Sequence, residues 1–206
     1  MQIALTYIYR IMPYIFLANT VYIPLRFWYA KSKEYSFHFW YEAIRLVVVN
    51  YFTFVVVITM VPDWKIVRDY ATNRVIFFSG IAEDKSLNLL PFQTIVAFLR
   101  GYTNVNPDES NTVIFLNVVG NILLLTPLSF CMPIVNHKFT KPYTLIGSGL
   151  VFSFGVEIVQ FFIGRSADID DLILNTLGVI IGYLGFRLAF RVKYLVFHNR
   201  RCKLRR

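Results

Sequence analysis

Glu157 stands within an apolar run, and Gln160 follows it by three residues. On a helix the two share a face, which Ser153 and Gly149 extend in steps of four. A carboxylate at mid-membrane costs about 2.5–3.5 kcal/mol on insertion scales, so an acid in such a place calls for a partner or a purpose. Two further groups repeat this pattern. Asn117 and Asn121 are four apart in another apolar run, and Asp171, Asn175, Gly178, Gly182 and Gly185 form one stripe at steps of four, three, four and three, just after Asp168 and Asp170. The chemistry on offer is that of oxygens and amides. Glu157 and Asp171 are candidate general acid or base groups, Asp168 and Asp171 are hard oxygen ligands for a divalent cation, and Arg165 with the amides can contact polar head groups. No histidine accompanies them, since His38, His137 and His198 lie toward the other predicted side, and no nucleophile is evident.

Each group also has a purely structural use. Buried amides tie helices together at about 0.6 kcal/mol each, and small residues spaced by four let helices approach closely. Arg165 can fold back to pair with Glu157, and Asp170 or Asp171 stands where the last helix needs an N-cap. Gathering favours function: the orientation below puts all these polar residues in the outer half of the bilayer or just beyond it, and helix-tying amides have no reason to collect at one end.

The elements that must position these residues follow from composition. The chain has 206 residues, 56% hydrophobic, 17% aromatic and 16% charged, where soluble domains carry about 25% charged residues. Four stretches, 43–61, 112–135, 143–163 and 172–190, are long and apolar enough to span a bilayer as helices. A fifth, 4–25, is interrupted by Arg10, Pro13 and Pro24 and either spans or lies partly in the interface. The expected architecture is an all-α polytopic membrane bundle of about five transmembrane helices in a single domain, 1–206. No linker, repeat or removable signal peptide is expected, and Cys131 and Cys202 have no metal or redox spacing.

Net charge is +9, which by itself would admit nucleic acid as a partner. Its placement excludes that reading: eight basic and no acidic residues lie in the tail 187–206, leaving 13 basic against 12 acidic elsewhere. Such a tail belongs in the cytoplasm beside anionic lipid. Lys138 and Lys141, and Lys31 and Lys33, fall on the same side. Segment 63–111, with five basic and six acidic residues, and the loop 164–171 are then extracytoplasmic. Segment 63–111 is too apolar for a disordered connection, through 75–78, 87–92 and 95–99, and is expected to fold onto the membrane surface as a small subdomain. Pro91 is suited to open a short helix ending at Arg100 before Gly101. For its first part strands and helices stay equally open.

Four ordered motifs carry a family likeness: Asn88-Leu-Leu-Pro-Phe92, Asn117-Val-Val-Gly-Asn121-Ile-Leu-Leu-Leu-Thr-Pro127, Glu157-Ile-Val-Gln160, and Gly164-Arg165-Ser-Ala-Asp168-Ile-Asp170-Asp171-Leu-Ile-Leu-Asn175-Thr-Leu-Gly178. In order and spacing they resemble the VanZ-like family across about Asn88 to Gly185. Ser129 departs from the pattern, which has a glycine after the Pro-Leu step. The resemblance implies a small bacterial cell-envelope membrane protein that lowers susceptibility to teicoplanin, an acylated glycopeptide, and it supplies no catalytic mechanism. Asn88, Asn117, Asn121, Glu157, Gln160, Arg165, Asp168, Asp171 and Asn175 are site candidates on both grounds. The expected partners are membrane lipid and an amphiphile, either a lipid-linked wall precursor or the acylated antibiotic. A homo-oligomer through Gly178, Gly182 and Gly185 is a further expectation, and no metal or cofactor is assigned. The alternative function is an intramembrane enzyme on a lipid-linked substrate with Glu157 as acid or base. Transport has little support, since no inverted repeat is detectable.

Overall fold

A computed structural model describes residues 2–33, 39–62, 64–69, 74–79, 87–93, 95–96 and 109–203. Five long helices dominate them: α1 (Gln2–Ser32), α2 (Phe39–Met60), α3 (Glu109–Val135), α4 (Pro142–Phe162) and α5 (Ile169–Lys203). Within these, Phe39–Met60, Phe115–Val135, Pro142–Phe162 and Ile169–Arg191 are long and apolar enough to cross a membrane. The protein is an all-α membrane bundle, as its hydropathy predicts. Large apolar side chains such as Phe16, Val151, Phe154, Phe162 and Leu184 are exposed, whereas Ser153, Glu157, Asp170 and Asn175 are buried. That inversion of the usual soluble pattern suits a surface solvated by lipid.

Side-chain contacts fix how the helices run. Asn19 Nδ2 donates to Asn50 Oδ1 at 2.8 Å, and Arg26 forms an ion pair with Glu42 at 2.6 Å. Arg10 donates to the carbonyl of Val61. As residue numbers rise along α1 they fall along α2, so the two are antiparallel. α1 remains one helix despite Pro13 and Pro24, which neighbouring helices make tolerable in a membrane setting. α2 meets α3 where Tyr51 Oη donates to Leu124 O at 3.0 Å, and meets α4 where the rings of Phe52 and Phe152 lie 5.4 Å apart.

α3 and α5 are parallel neighbours in direct contact, and α4 carries the chain back from the end of one to the start of the other. Gly178 faces the Ile122 carbonyl, and Gly182 faces Ser129 Oγ and the Thr126 carbonyl, so closely that a Cβ on either glycine would overlap those atoms. Thr126 Oγ1 donates to Gly178 O at 3.1 Å. The glycine stripe therefore serves packing within one chain, against α3. Ser129, the departure from the expected glycine, lies at this contact: its hydroxyl is buried and donates back to Leu125 O at 2.8 Å, so its polarity is satisfied within its own helix. Val55, Leu125, Leu145, Val179 and Tyr183 form the core.

The connections carry their own signatures. Asn136 caps the 3₁₀ turn His137–Thr140 by accepting from Lys138 N at 3.0 Å, and Pro142 opens α4 in the position where its missing N–H costs nothing. At the other end of α4, Gly164 adopts φ 81°. Arg165 N donates to Gln160 O at 2.9 Å and Gly164 N to Phe161 O at 3.3 Å, the paired closure of a Schellman stop, which requires a left-handed residue.

Segment 63–111 contains strands where its sequence left the choice open. β1 (Trp64–Asp69) and β2 (Arg74–Ser79) form an antiparallel hairpin with Trp64 opposite Ser79 and Asp69 opposite Arg74. β3 (Leu87–Asn88) pairs in parallel with β4 (Ala167–Asp168). Of the helix expected from Pro91 to Arg100, Pro91 and Phe92 form a turn and Gln93, Ile95 and Val96 are helical, while 94 and 97–108 lie outside the described residues.

Candidate functional site

The Schellman stop reverses the chain after α4 so that 167–171 passes beside the last turns of that helix. Glu157 accepts the Asp168 backbone N–H on Oε2 at 3.0 Å. Asp168 in turn caps α5: its Oδ1 accepts Asp170 N at 2.9 Å, the N-cap geometry for a helix beginning at Ile169. The cap is thus Asp168, not Asp170 or Asp171 as the spacing suggested, because α5 begins three residues earlier than its apolar run.

The Asn88–Phe92 motif docks onto the same turn. Beside the β3–β4 ladder, Asn88 Nδ2 donates to Asp168 Oδ2 at 3.2 Å, Asn88 Oδ1 accepts Leu90 N at 3.3 Å, and Phe92 N donates to Asp170 Oδ1 at 2.5 Å. Asp170 is wholly buried. Phe92 has φ 70°, a left-handed conformation uncommon for a bulky residue, and the bond to Asp170 holds it there. Two motifs separated by almost eighty residues are in this way one structural unit.

From the opposite flank α3 contributes its amides. Asn121 Nδ2 donates to Asp171 Oδ1 at 2.5 Å and shares Asn117 Oδ1 at 3.3 Å. Asn117 is exposed, and Asn121 and Asp171 are half-buried. Asp171 interacts electrostatically with Glu157, Asp168 and Asp170, and with Arg165 in the opposite sense. Asn175 lies one turn further along α5, buried, and its Oδ1 has no hydrogen-bond partner among the described residues; the same holds for Glu157 Oε1 and Ser153 Oγ.

Asn88, Asn117, Asn121, Glu157, Asp168, Asp171 and Asn175 are therefore gathered where α3, α4, α5 and β3 meet. Gln160 and Arg165 point elsewhere. Gln160 Nε2 donates to Thr59 O at 3.3 Å and Arg165 Nη1 to Ile58 O at 3.4 Å, so both serve the end of α2. Glu157 and Arg165, whose pairing was one structural use of the two residues, interact electrostatically without a direct ion pair, and Glu157 Oε2 is held by the Asp168 backbone. Asp170 is the site residue whose role sequence reasoning missed, its only signal being its place in a run of acids. No group of three or more His, Cys, Asp and Glu residues among the described residues is arranged to hold a metal ion.

Two cavities flank this architecture. One, of about 400 Å³, lies toward the 3₁₀ turn and is lined by Phe52, Leu128, Phe139, Phe152 and Val179 with no charged residue. The other, of about 260 Å³, is a groove beside the polar cluster, lined by Leu87, Leu89, Phe154, Ile158, Phe162 and Leu172 and bordered by Glu157 and Asp168.

Comparison with known proteins adds one finding. A family model described as VanZ/LLP1 matches residues 48–190, a range that contains the whole polar cluster and excludes α1. No curated protein and no solved structure matches the chain.

Proposed function

Since the chain belongs to the VanZ/LLP1 family, of which it carries residues 48–190, we propose that it acts at the bacterial cell envelope to lower susceptibility to acylated glycopeptides such as teicoplanin. It does so by engaging an amphiphile and reducing the antibiotic's access to the cell surface. One observation carries this reading: an apolar groove of about 260 Å³ runs directly beside a polar cluster. An amphiphile needs that juxtaposition, an acyl chain along Phe154, Ile158 and Leu172 with a polar head at the Asn88–Asp168 turn. Cells making the protein are expected to bind less labelled teicoplanin than cells without it, and Ile158→Trp, which fills the groove, should abolish the difference. Equal surface binding with and without the protein would remove the proposal.

The same reading puts the basic tail in the cytoplasm and the polar cluster outside, by the excess of Lys and Arg on the opposite end of the bundle. Ser166 is exposed in the turn between α4 and α5. In a Ser166→Cys protein, a membrane-impermeant thiol reagent is expected to label the introduced thiol in intact cells and Cys202 only after lysis. The reverse pattern would overturn the placement.

A further inference from the structure

The larger cavity, of about 400 Å³, occupies the half of the bundle that holds the 3₁₀ turn. Phe139 of the turn lines it at that end, and Phe52 and Phe152, with rings 5.4 Å apart, bridge α2 and α4 near the other. Three hydroxyls reach the lining, and each donates within its own helix: Thr53 to Val49 O at 2.9 Å, Ser129 to Leu125 O at 2.8 Å and Ser148 to Leu145 O at 2.9 Å. Such a wall suits only a hydrocarbon guest. Apolar cavities of about 150 Å³ already stay dry and take up a small hydrocarbon. Phe52 and Ser148 are exposed, so this one opens on the bundle surface, where the hydrocarbon at hand is a lipid acyl chain.

The cavity's rim at the 3₁₀ end is basic. Lys138 and Lys141 stand on either side of Phe139 and are exposed. The contacts Phe52–Phe152 and Thr59–Gln160 show that α2 and α4 run parallel. Arg45, three and four residues before the lining residues Val48 and Val49, is therefore one turn nearer the 3₁₀ end on the same face of α2. Arg187 is tied to the turn through Tyr183, whose Oη donates to Thr140 O at 2.9 Å and accepts from Arg187 Nη1 at 3.2 Å. The carboxylate beside Arg45 is Glu42, which Arg26 shares. The sequence has no acidic residue from 110 to 156 and none after Asp171. A hydrocarbon slot with a cationic rim is complementary to one amphiphile in particular, a phospholipid of negative net charge.

We propose that this cavity holds one acyl chain of an anionic phospholipid from the leaflet on the 3₁₀ side, with the lipid phosphate at Lys138 and Lys141 and Arg45 on the α2 flank. Basic pockets between membrane helices recognise anionic head groups in this way. The bound lipid fills the space between α2 and α4 that their side chains leave open, and so joins the α1–α2 pair to the rest of the bundle.

Purified full-length protein is reconstituted into vesicles of equal parts phosphatidylglycerol and phosphatidylcholine and re-extracted in neutral detergent. Native mass spectrometry then counts the lipid retained per chain. Phosphatidylglycerol is expected to be retained over phosphatidylcholine by about tenfold, and the double variant Lys138→Gln, Lys141→Gln should bring that preference below about threefold. Val49→Phe and Ser148→Phe, which fill the cavity, should each lose one phospholipid per chain. Ile158→Trp, which fills the groove beside the polar cluster instead, should keep it. Gel filtration and far-UV circular dichroism establish that each variant is folded, and the two lysines, being exposed, can be replaced without disturbing the core. Equal retention of the two lipids by the wild type would overturn the proposal. So would a preference that outlasts both lysines, full retention in the cavity-filling variants, or loss of the lipid in Ile158→Trp. These readouts do not involve the antibiotic, so failure of the cellular proposal would leave this one standing.

Discussion

A Gly182→Leu protein is expected not to assemble its bundle. The Cβ alone would overlap Ser129 Oγ and the Thr126 carbonyl, and the second of these is helix backbone that cannot rotate away. α3 and α5 would have to separate, losing the Thr126–Gly178 hydrogen bond and the contact of Leu125 with Val179 and Tyr183 in the core. Overpacking of this kind costs about 3 kcal/mol, at the upper end of its usual range. That is a large part of the stability of any membrane domain of this size. Gly178→Val should behave alike, because its Cβ would meet the Ile122 carbonyl. Gly147→Leu provides the contrast, for nothing lies within 4 Å of a Cβ there. The check is the yield of monodisperse protein after extraction and its unfolding temperature. Wild-type values for Gly182→Leu would show that the glycine stripe is not what seats α5.

The second large effect is expected at Asp170. This side chain is 0% exposed and accepts the N–H of Phe92, the residue with positive φ. In Asp170→Ala the N–H loses its acceptor and the left-handed turn loses its restraint. A hydrogen bond to a charged group is worth about 1.5–3 kcal/mol, enough to release the Asn88–Phe92 segment from the α4–α5 turn. Faster hydrogen exchange at Leu90 and Phe92, with exchange in α3 and α4 unaltered, is the expected signature. Unchanged exchange at Phe92 would show that the β3–β4 ladder holds the segment unaided. Asp170→Asn, which keeps an acceptor oxygen, should lie between the two.

How much of this was legible in the sequence depended on the range of the interaction. The four spans were readable because a bilayer demands long apolar runs, and their ends differ from the helices mainly where first turns containing polar residues precede the apolar run, as in the helices that begin at Glu109 and Ile169. That extension hid the true cap, since Asp168 precedes a helix whose apolar signal begins only at Leu172. The close approach of Gly178 and Gly182 was readable, but its partner was not, because small residues specify distance without specifying whose surface approaches. Pairing between Asn88 and Asp168 could not be read at all: a two-residue ladder has no periodicity, and its partners are joined only through the fold. Glu157 and Gln160 illustrate the limit of face arguments. They share a helix face as spacing requires, yet one turns to Asp168 and the other to Thr59 O, because the face is wide enough to touch two neighbours.

The parallel seating of α5 against α3 also has a consequence for biogenesis. Membrane helices leave the ribosome in order, and domains form from the amino end onward. When α3 and α4 have inserted and α5 has not, the groove of α3 around Ile122, Thr126 and Ser129 has only lipid against it. The Asp171 acceptor for Asn121 and the acidic turn that receives Asn88 have not yet been made. The polar cluster is therefore a late product of synthesis, and α5 is the element whose arrival converts three earlier segments, β3, α3 and α4, into a site.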